Sequence, residues 1–352
     1  DNVTTGQHHG EEENFAIRPI LRWQPNSGVD ITLIGEAGKL DGEGVASRFI
    51  DDPAQLLFRQ GIREPTGGAE NLSINFDGDT RIKWRQAVLD ANFELGGGTL
   101  TSITGYRKVK YFSTGDTDGS QSETARAVNK MDQHQFSEEL RYAGKAFNDR
   151  LDYTIGAYYL QQRLEQYYHV IFFGASNQRS GGILRHKTWS VFAQGDYEVL
   201  DNVFVTAGGR YTWEKKSALN ARTPNCSLAL VCTFTNSGST TWKNFTPKLG
   251  LSWKAAPDVL FYASWTKGFR SGGYNIRTTG ANELAGPYDE EKVKALEGGV
   301  KTTLLDGRAR INVAAFHNKF GGLQRTVNQG LVNFIANVAS ATVNGFEVET
   351  TF

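Results

Sequence analysis

The segment from Val259 to Arg270 alternates between apolar and polar side chains with a step of two residues. Successive side chains of a strand point to opposite sides, so this alternation predicts a strand with one apolar face and one mostly polar face. The segment is longer than a typical soluble strand of about five or six residues. It is long enough to cross a bilayer as a tilted strand, which takes about 9–11 residues. The apolar positions are Val259, Phe261, Ala263, Trp265 and Phe269, and Lys267 interrupts them.

Similar segments recur along the chain and predict about thirteen strands, although Thr99–Tyr111 and Glu290–Leu304 alternate poorly. Large aromatic residues lie near the ends of several of these strands, for example Trp189, Trp213 and Trp253, as in the interfacial girdles of membrane barrels. The predicted strands are Ala16–Trp23, Val29–Glu36, Arg81–Leu95, Thr99–Tyr111, Met131–Ala143, Leu151–Gln166, His186–Val199, Val203–Glu214, Trp242–Lys254, Val259–Arg270, Glu290–Leu304, Arg308–Phe320 and Phe334–Phe352.

The connections between these strands alternate in length. Short turns contain Gly, Asn, Asp or Pro, as at 96–98 and 200–202, and the connections between them are longer and polar. Outer-membrane barrels have short periplasmic turns at one rim and long extracellular loops at the other, whereas a soluble sandwich has no reason to alternate in this way. The sequence therefore predicts an all-β fold, an antiparallel transmembrane β-barrel. The predicted long loops are Phe112–Lys130, Tyr167–Arg185, Lys215–Thr241, Ser271–Asp289 and Gly321–Asn333.

The first eighty residues carry weaker patterns. Asp1–Asn14 is polar, and we interpret it as a solvated loop or frayed end rather than a metal site, because no second ligand cluster lies at metal-site spacing. Ala37–Thr80 is a long polar connection in which Asp51–Gln60 is compatible with a short helix, capped by Asp52 and with Pro53 at its first helical position.

Composition agrees with a barrel and excludes other classes. Lys and Arg number 38 and Asp and Glu also number 38, so charge gives no argument for a nucleic-acid partner. The mean hydropathy is −0.43, and no apolar run approaches the roughly 18–20 residues of a membrane helix. No Ser-His-Asp set, paired-carboxylate motif or metal cluster has local support, so we expect no enzyme activity, no cofactor and no metal site.

Two cysteines, Cys226 and Cys232, lie close together in a polar segment. One interpretation is a disulfide that closes a small loop in an oxidising compartment, and the alternative is two unpaired thiols.

Several segments, in order along the chain, resemble the barrel of TonB-dependent outer-membrane receptors. They cover most of Arg81–Phe352, and their ordered set is more specific than any single motif. The segments are Thr99–Tyr106 (TLTSITGY), Phe136–Leu140 with Leu151–Tyr159 (FSEEL, LDYTIGAYY), Val191–Arg210, Leu249–Asn275 ending in YASWTKGFRSGGYN, Tyr288–Gln324 and Val343–Glu349 (VNGFEVE).

The resemblance implies energised uptake of a large, scarce ligand, typically a ferric siderophore, at the outer membrane of a Gram-negative bacterium. The implied partners are outer-membrane lipid, the ligand and the TonB system, which pulls on an N-terminal plug inside a barrel of about 22 strands. The sequence departs from that pattern, because it shows no plug and too few strands. We therefore expect residues 1–352 to be an incomplete barrel domain that lacks the plug, the first strands and the last strands.

Candidate ligand contacts are polar and aromatic residues at loop bases, where arginines attract anionic chelates and tyrosines stack on catechol-like rings. For each residue, ordinary loop or girdle packing is the alternative. A passive porin or an adhesive barrel without transport is the alternative function. Asp116 to Gly119 hints at a calcium loop but lacks the downstream bidentate Glu, so we interpret it as a turn. The candidate contacts are Tyr111, Tyr167, Tyr168, Arg270, Tyr274 and Arg277.

Overall fold

A computed structural model describes residues 1–45, 47–51, 61–65, 67–68, 70–172, 176–222, 225–227, 229, 231–276, 287–329 and 332–352. Its strands form one antiparallel sheet of 14 strands. No helix within these ranges is long and apolar enough to span a membrane. The strands are β1 Glu12–Ile17, β2 Ile20–Asn26, β3 Val29–Gly42, β4 Asp79–Leu95, β5 Gly98–Asp116, β6 Ala125–Ala146, β7 Leu151–Phe172, β8 Ser176–Leu200, β9 Val203–Arg222, β10 Asn236–Ala256, β11 Val259–Arg270, β12 Glu291–Leu304, β13 Ala309–Gln329 and β14 Val332–Thr351.

Each strand from β3 to β14 pairs with its neighbours in sequence, which is the meander expected of an up-and-down barrel. In the described part of the chain, β14 pairs only with β13, and the opposite edge, formed by β1 and β2, pairs only with β3. The sheet is therefore open between these two edges.

The structure has 14 strands where the sequence predicted about thirteen, and the difference arises at the first edge. Ile17 faces Ala37 and Ile20 faces Ile34, so β1 and β2 follow one another along β3 in unbroken register. Pro19 lies between them and has no N–H to donate, although its carbonyl accepts a 3.0 Å bond from the Gly35 amide. The two strands thus occupy one position in the sheet, and β1 includes residues that we had interpreted as a loop.

The two faces of the sheet differ as predicted. Trp189 is 59% exposed and Val191 52% exposed, whereas Ser190 between them is 2% exposed. We call the face that carries Trp189 and Val191 the outer face and the opposite one the inner face. Aromatic contacts run along the outer face, with ring centroids of Tyr159 and Trp189 4.3 Å apart. A row of large apolar side chains exposed to this degree on one face of a sheet is typical of a surface that contacts lipid, so we assign the outer face to the membrane.

Several predicted loops are strands in the structure. β7 continues to Phe172 and β8 begins at Ser176, so most of Tyr167–Arg185 belongs to the sheet. Most of Phe112–Lys130, Gly321–Asn333 and parts of Lys215–Thr241 are likewise strand. β8 has 25 residues, although about 9–11 suffice to cross a bilayer. Beyond the membrane both faces of each strand contact water, so apolar and polar residues no longer alternate strictly there. The strands predicted from this alternation are therefore shorter than the strands in the structure.

The short turns lie at one end of the sheet, as predicted. Gly96 and Gly97 join β4 to β5 with φ of 60° and 84°, the left-handed conformation that a tight hairpin turn demands and glycine permits. The predicted helix Asp51–Gln60 lies, except for Asp51, outside the described residues.

Candidate ligand-binding site on the inner face

The candidate contacts do not all share one face. The side chains of Tyr111, Tyr168 and Arg270 lie on inner-face positions by strand parity and register. Tyr167 lies on the outer face, opposite Lys130 and Gly181. Tyr274 is 7% exposed and belongs to a buried cluster rather than an open surface. Arg277 lies outside the described residues.

The segment after β11, Ser271 to Ile276, folds back over the inner face. Tyr274 and Ile276 pack with Trp242 and Ala218 in one buried cluster, and Leu164 and Leu184 pack against it. The approach is close at Gly182 of β8, where an added Cβ would lie 2.5 Å from Cβ of Ile276. The segment therefore covers part of the inner face of β7 to β10. We call Ser271–Ile276 the inward segment.

A charged network anchors the start of the inward segment. Lys216 donates to Ser271 Oγ at 2.6 Å and to the Gly272 carbonyl at 2.8 Å. Ser271 Oγ in turn donates to the Glu214 carboxylate, and Nε2 of His186 lies 2.9 Å from the same carboxylate. All of these groups are inner-face residues beyond the membrane-spanning part of β8 and β9. The network ties a loop to a wall strand more than fifty residues away in sequence.

Glu214 is ionised in this network. Burial by itself would raise the pKa of its carboxyl group, but bonds from His186 and Ser271 and the charge of Lys216 outweigh burial and lower the pKa to about 2. The carboxylate is thus a stable acceptor at neutral pH, and it holds Lys216 and Ser271 in place.

A second set of bonds attaches the inward segment to the far side of the sheet. Nε2 of Gln324 donates to the carbonyls of Ser271 at 3.0 Å and Asp289 at 2.9 Å. The Asn275 side chain exchanges two hydrogen bonds with the backbone of Ile335 on β14, of 3.0 and 2.8 Å. The segment therefore bridges β8 to β10 on one side and β13 and β14 on the other.

Arg270 stands at the edge of this bridge with its side chain on the inner face. It is exposed, and among the described residues no carboxylate lies within 4.0 Å of its guanidinium. Burial raises the pKa of the nearby Tyr288 hydroxyl and the positive charge of Arg270 opposes that rise. The arrangement presents an available cation beside a phenol, which suits an anionic, aromatic ligand.

The remaining candidate groups have structural partners. Tyr111 donates to Ser113 at 2.8 Å, and Tyr167 donates to Glu165 at 2.5 Å. Asp116 Oδ1 accepts bonds from the amides of Asp118 and Gly119, so this stretch forms the predicted turn. Within the described ranges, no group of three or more His, Cys, Asp or Glu residues is arranged to hold a metal ion.

Sequence reasoning missed the network of Glu214, Lys216, His186 and Ser271. The step-of-two pattern does place the first three on the inner face. Nothing local indicates that a loop after β11 returns to them, because Ser271 lies 55 residues after Lys216 and 57 residues after Glu214 in sequence. Cys226 and Cys232 form a disulfide, and its loop lies on the outer face, where an added Cβ on Gly181 would lie 2.9 Å from Cys232 Sγ.

Comparison with known proteins supplies the family. Residues 22–352 match the family model of the TonB-dependent receptor-like β-barrel. A metal-pseudopaline receptor of Pseudomonas aeruginosa is 36% identical over 84 residues, which are 24% of this chain and 11% of that protein.

Solved structures agree on the fold. The ferric yersiniabactin uptake receptor of Yersinia pestis superposes with a TM-score of 0.79 at 16% identity, over 97% of this chain and 49% of that one. The ferric preacinetobactin receptor of Acinetobacter baumannii gives a TM-score of 0.65 at 15% identity, over 96% of this chain and 52% of that one. The chain thus spans about half the length of these solved receptors and a smaller share of the curated relative.

Proposed function

Since this chain belongs to the TonB-dependent receptor-like β-barrel family, we propose that it is part of a receptor that takes up a ferric siderophore or similar chelate with energy supplied through TonB. The family match over residues 22–352 is the observation that carries the proposal. The chain is an integral outer-membrane protein, and its family consists of receptors rather than enzymes, as the sequence predicted.

The barrel proposed here is completed by residues outside this chain. The open edges at β1–β2 and β14 leave backbone donors and acceptors unpaired on one side, and in a bilayer such edges must be paired. We propose that further strands join these edges and that a plug domain, which contacts TonB, fills the lumen.

The inner face offers a place for an anionic ligand. Arg270 is exposed beside Tyr288, and Tyr111 and Tyr168 lie on the same face of the sheet. A chelate of this class is too large and too scarce to enter efficiently by diffusion through an open pore. Uptake therefore needs tight binding, followed by release that consumes energy. The ligand proposed is therefore negatively charged and contains aromatic or catechol-like groups.

Uptake of radioactive iron tests this proposal in cells that produce the full-length receptor. A panel of ferric catecholate and ferric hydroxamate siderophores serves as the probe, in strains with and without TonB. We expect uptake of a ferric catecholate that requires TonB, whereas uptake of ferric hydroxamates alone would contradict the aromatic, anionic ligand proposed. Arg270→Gln weakens that uptake about tenfold, the cost of one charge-assisted contact.

Lys267→Gln is the matched control, because Lys267 lies on the same strand with its side chain on the outer face. Cells that produce Lys267→Gln should take up the chelate as fast as cells that produce the wild type. Entry of all small solutes independent of TonB would instead identify a passive porin, and no uptake of any chelate would favour an adhesive barrel.

A further inference from the structure

Directly beyond its aromatic residues, the outer face carries a layer of basic residues. On β5 and on β8 to β11, an outer-face aromatic residue is followed, two residues farther from the short turns, by a lysine. The ammonium of Lys267 lies 5.2 Å from the ring centroid of Trp265, so the two layers are in contact. The aromatic and basic pairs are Tyr106 and Lys108, Trp189 and Lys187, Trp213 and Lys215, Phe245 and Lys243, and Trp265 and Lys267.

The basic residues also face one another across the strands. Lys83 is directly opposite Lys110, and Arg85 is directly opposite Lys108. Like charges directly opposite in a sheet destabilise it. Four more pairs of this kind continue the layer on other strands. They are Arg163 with Arg185, Lys187 with Lys215, Lys267 with Lys294, and Lys294 with Lys319.

The densest part of this layer lines a cavity of about 710 Å³ on the outer face of β4 to β7. The disulfide loop closes one side of the cavity through Ala229, Val231 and Cys232. A smaller hollow of about 240 Å³ adjoins it and shares three of its lysines. The basic residues that line the larger cavity are Arg81, Lys83, Lys108, Lys110, Lys130 and Arg163.

The carboxylates of the cavity neutralise only part of this charge. Asp132 lies 3.7 Å from Lys108 and 3.8 Å from Lys110. Glu165 lies 2.9 Å from Arg163. Among the described residues, neither Lys83 nor Lys130 has a carboxylate within 4.0 Å. The cavity therefore carries surplus positive charge on a surface that continues, on the same face, into the lipid-contacting wall.

We propose that this cavity, which we call the basic pocket, binds the phosphate groups of an outer-leaflet lipid headgroup. Phosphates lie just beyond the hydrocarbon of a bilayer, and the basic layer lies just beyond the aromatic one. The pocket opens on the outer face, so a ligand passing through the lumen does not meet it. A phosphorylated headgroup between Lys83 and Lys110 replaces their repulsion by attraction, which explains why so many like charges are placed together.

Native mass spectrometry of the full-length receptor in detergent tests the proposal, with diphosphorylated lipid A as the probe. We expect binding that weakens with salt and with removal of one phosphate from the probe. The triple variant K83Q/K108Q/K110Q should bind about tenfold to a hundredfold more weakly, given roughly a tenfold effect or less for each charge. A triple variant K83R/K108R/K110R should retain binding, because it keeps the charge.

The control variant R107Q/K248Q/K301Q removes the same charge from inner-face positions and should bind as the wild type does. A heat-dependent shift on a gel confirms that each variant is a folded barrel. Unchanged binding in K83Q/K108Q/K110Q, or an equal loss in the inner-face control, would overturn the proposal. Displacement of the lipid by millimolar inorganic phosphate would overturn the lipid assignment and identify a site for small anions.

Discussion

Lys216 on β9 donates a 2.6 Å hydrogen bond to the Ser271 hydroxyl, although the two residues are separated by 55 positions in sequence. Glu214 orients both groups, since it accepts the bond from Ser271 and lies 3.1 Å from Lys216. The start of the inward segment therefore depends on one carboxylate. This makes Glu214 the residue through which the loop after β11 is attached to the wall.

Glu214→Gln is expected to release the inward segment at neutral pH, at a cost of about 3 kcal/mol, since it leaves the Lys216 ammonium partly buried without its anion. Hydrogen exchange at the amides of Gly273 and Tyr288 measures this, because they bond to each other's carbonyls. Exchange should rise there and stay unchanged in β8. Glu347→Gln on β14 is the control and should leave both regions protected.

The same anchor has a defined pH dependence. The pKa of Glu214 is lowered to about 2 in the folded protein, below its ordinary value of 4.5. Its contribution is therefore complete above about pH 4.5 and is lost as pH falls from there toward about 2. Exchange of the inward segment in the wild type should approach that of Glu214→Gln only over this acidic range. Convergence of the two proteins already at pH 6 would contradict the role given to this carboxylate.

Asp116 is expected to show the opposite trend. It is 2% exposed, and burial with the nearby charge of Asp118, against bonds from the Gly119 and Asp118 amides, raises its pKa to about 6. The folded state therefore binds the proton more tightly than the unfolded state, so local stability falls as pH rises from about 4 to about 6, by on the order of 1–3 kcal/mol.

Asp116→Asn should remove this dependence, because Oδ1 of the amide still accepts from Asp118 and Gly119. Exchange at those two amides, followed from pH 4 to pH 8, measures the effect. The wild-type turn should open more readily above pH 6, and the variant should show little change. A wild-type profile that is flat over this range would show that Asp116 is ionised throughout.

Substitutions at two adjacent glycines of β8 test the outer-face site and the inner-face site separately. An added Cβ on Gly182 would lie 2.5 Å from Ile276, and one on Gly181 would lie 2.7 Å from the Tyr167 ring. Gly182→Ala should displace the inward segment and reduce chelate uptake, at about 1–3 kcal/mol of overpacking. Gly181→Ala should displace the disulfide loop and weaken lipid A binding while uptake is retained. Equal effects of both variants on both assays would contradict the separation of the two sites.

The membrane-contacting face can be tested on one strand. Ala193 lies on the exposed outer face of β8 and Gln194 lies on the inner face. Ala193→Lys places a charge in hydrocarbon and should cost about 2–4 kcal/mol, whereas Gln194→Lys should cost less than about 1 kcal/mol. Urea unfolding of the full-length receptor in lipid vesicles measures both. Equal stability of the two variants would place the membrane elsewhere.

The membrane-spanning strands could be predicted from sequence because a bilayer enforces alternation. Val259–Arg270 was predicted with the bounds that the structure shows, and β4 and β12 differ by a few residues. β7 and β8 were predicted too short, because beyond the membrane their pairing is maintained by backbone hydrogen bonds that any side chain permits. Of the candidate contacts, Arg270 has an exposed inner-face position, whereas Tyr274 is buried and Tyr167 lies on the outer face.

The sequence by itself determined the fold class, the lipid-contacting face and the order of the strands, because these depend on a local step of two and on short turns. Only the tertiary structure decided that Ser271 returns to Lys216, that the disulfide loop lies on the outer face, and that basic residues of β4 to β7 line one pocket. Such contacts join residues distant in sequence, and their formation depends on strand register and loop path. No local pattern of side chains encodes either of these.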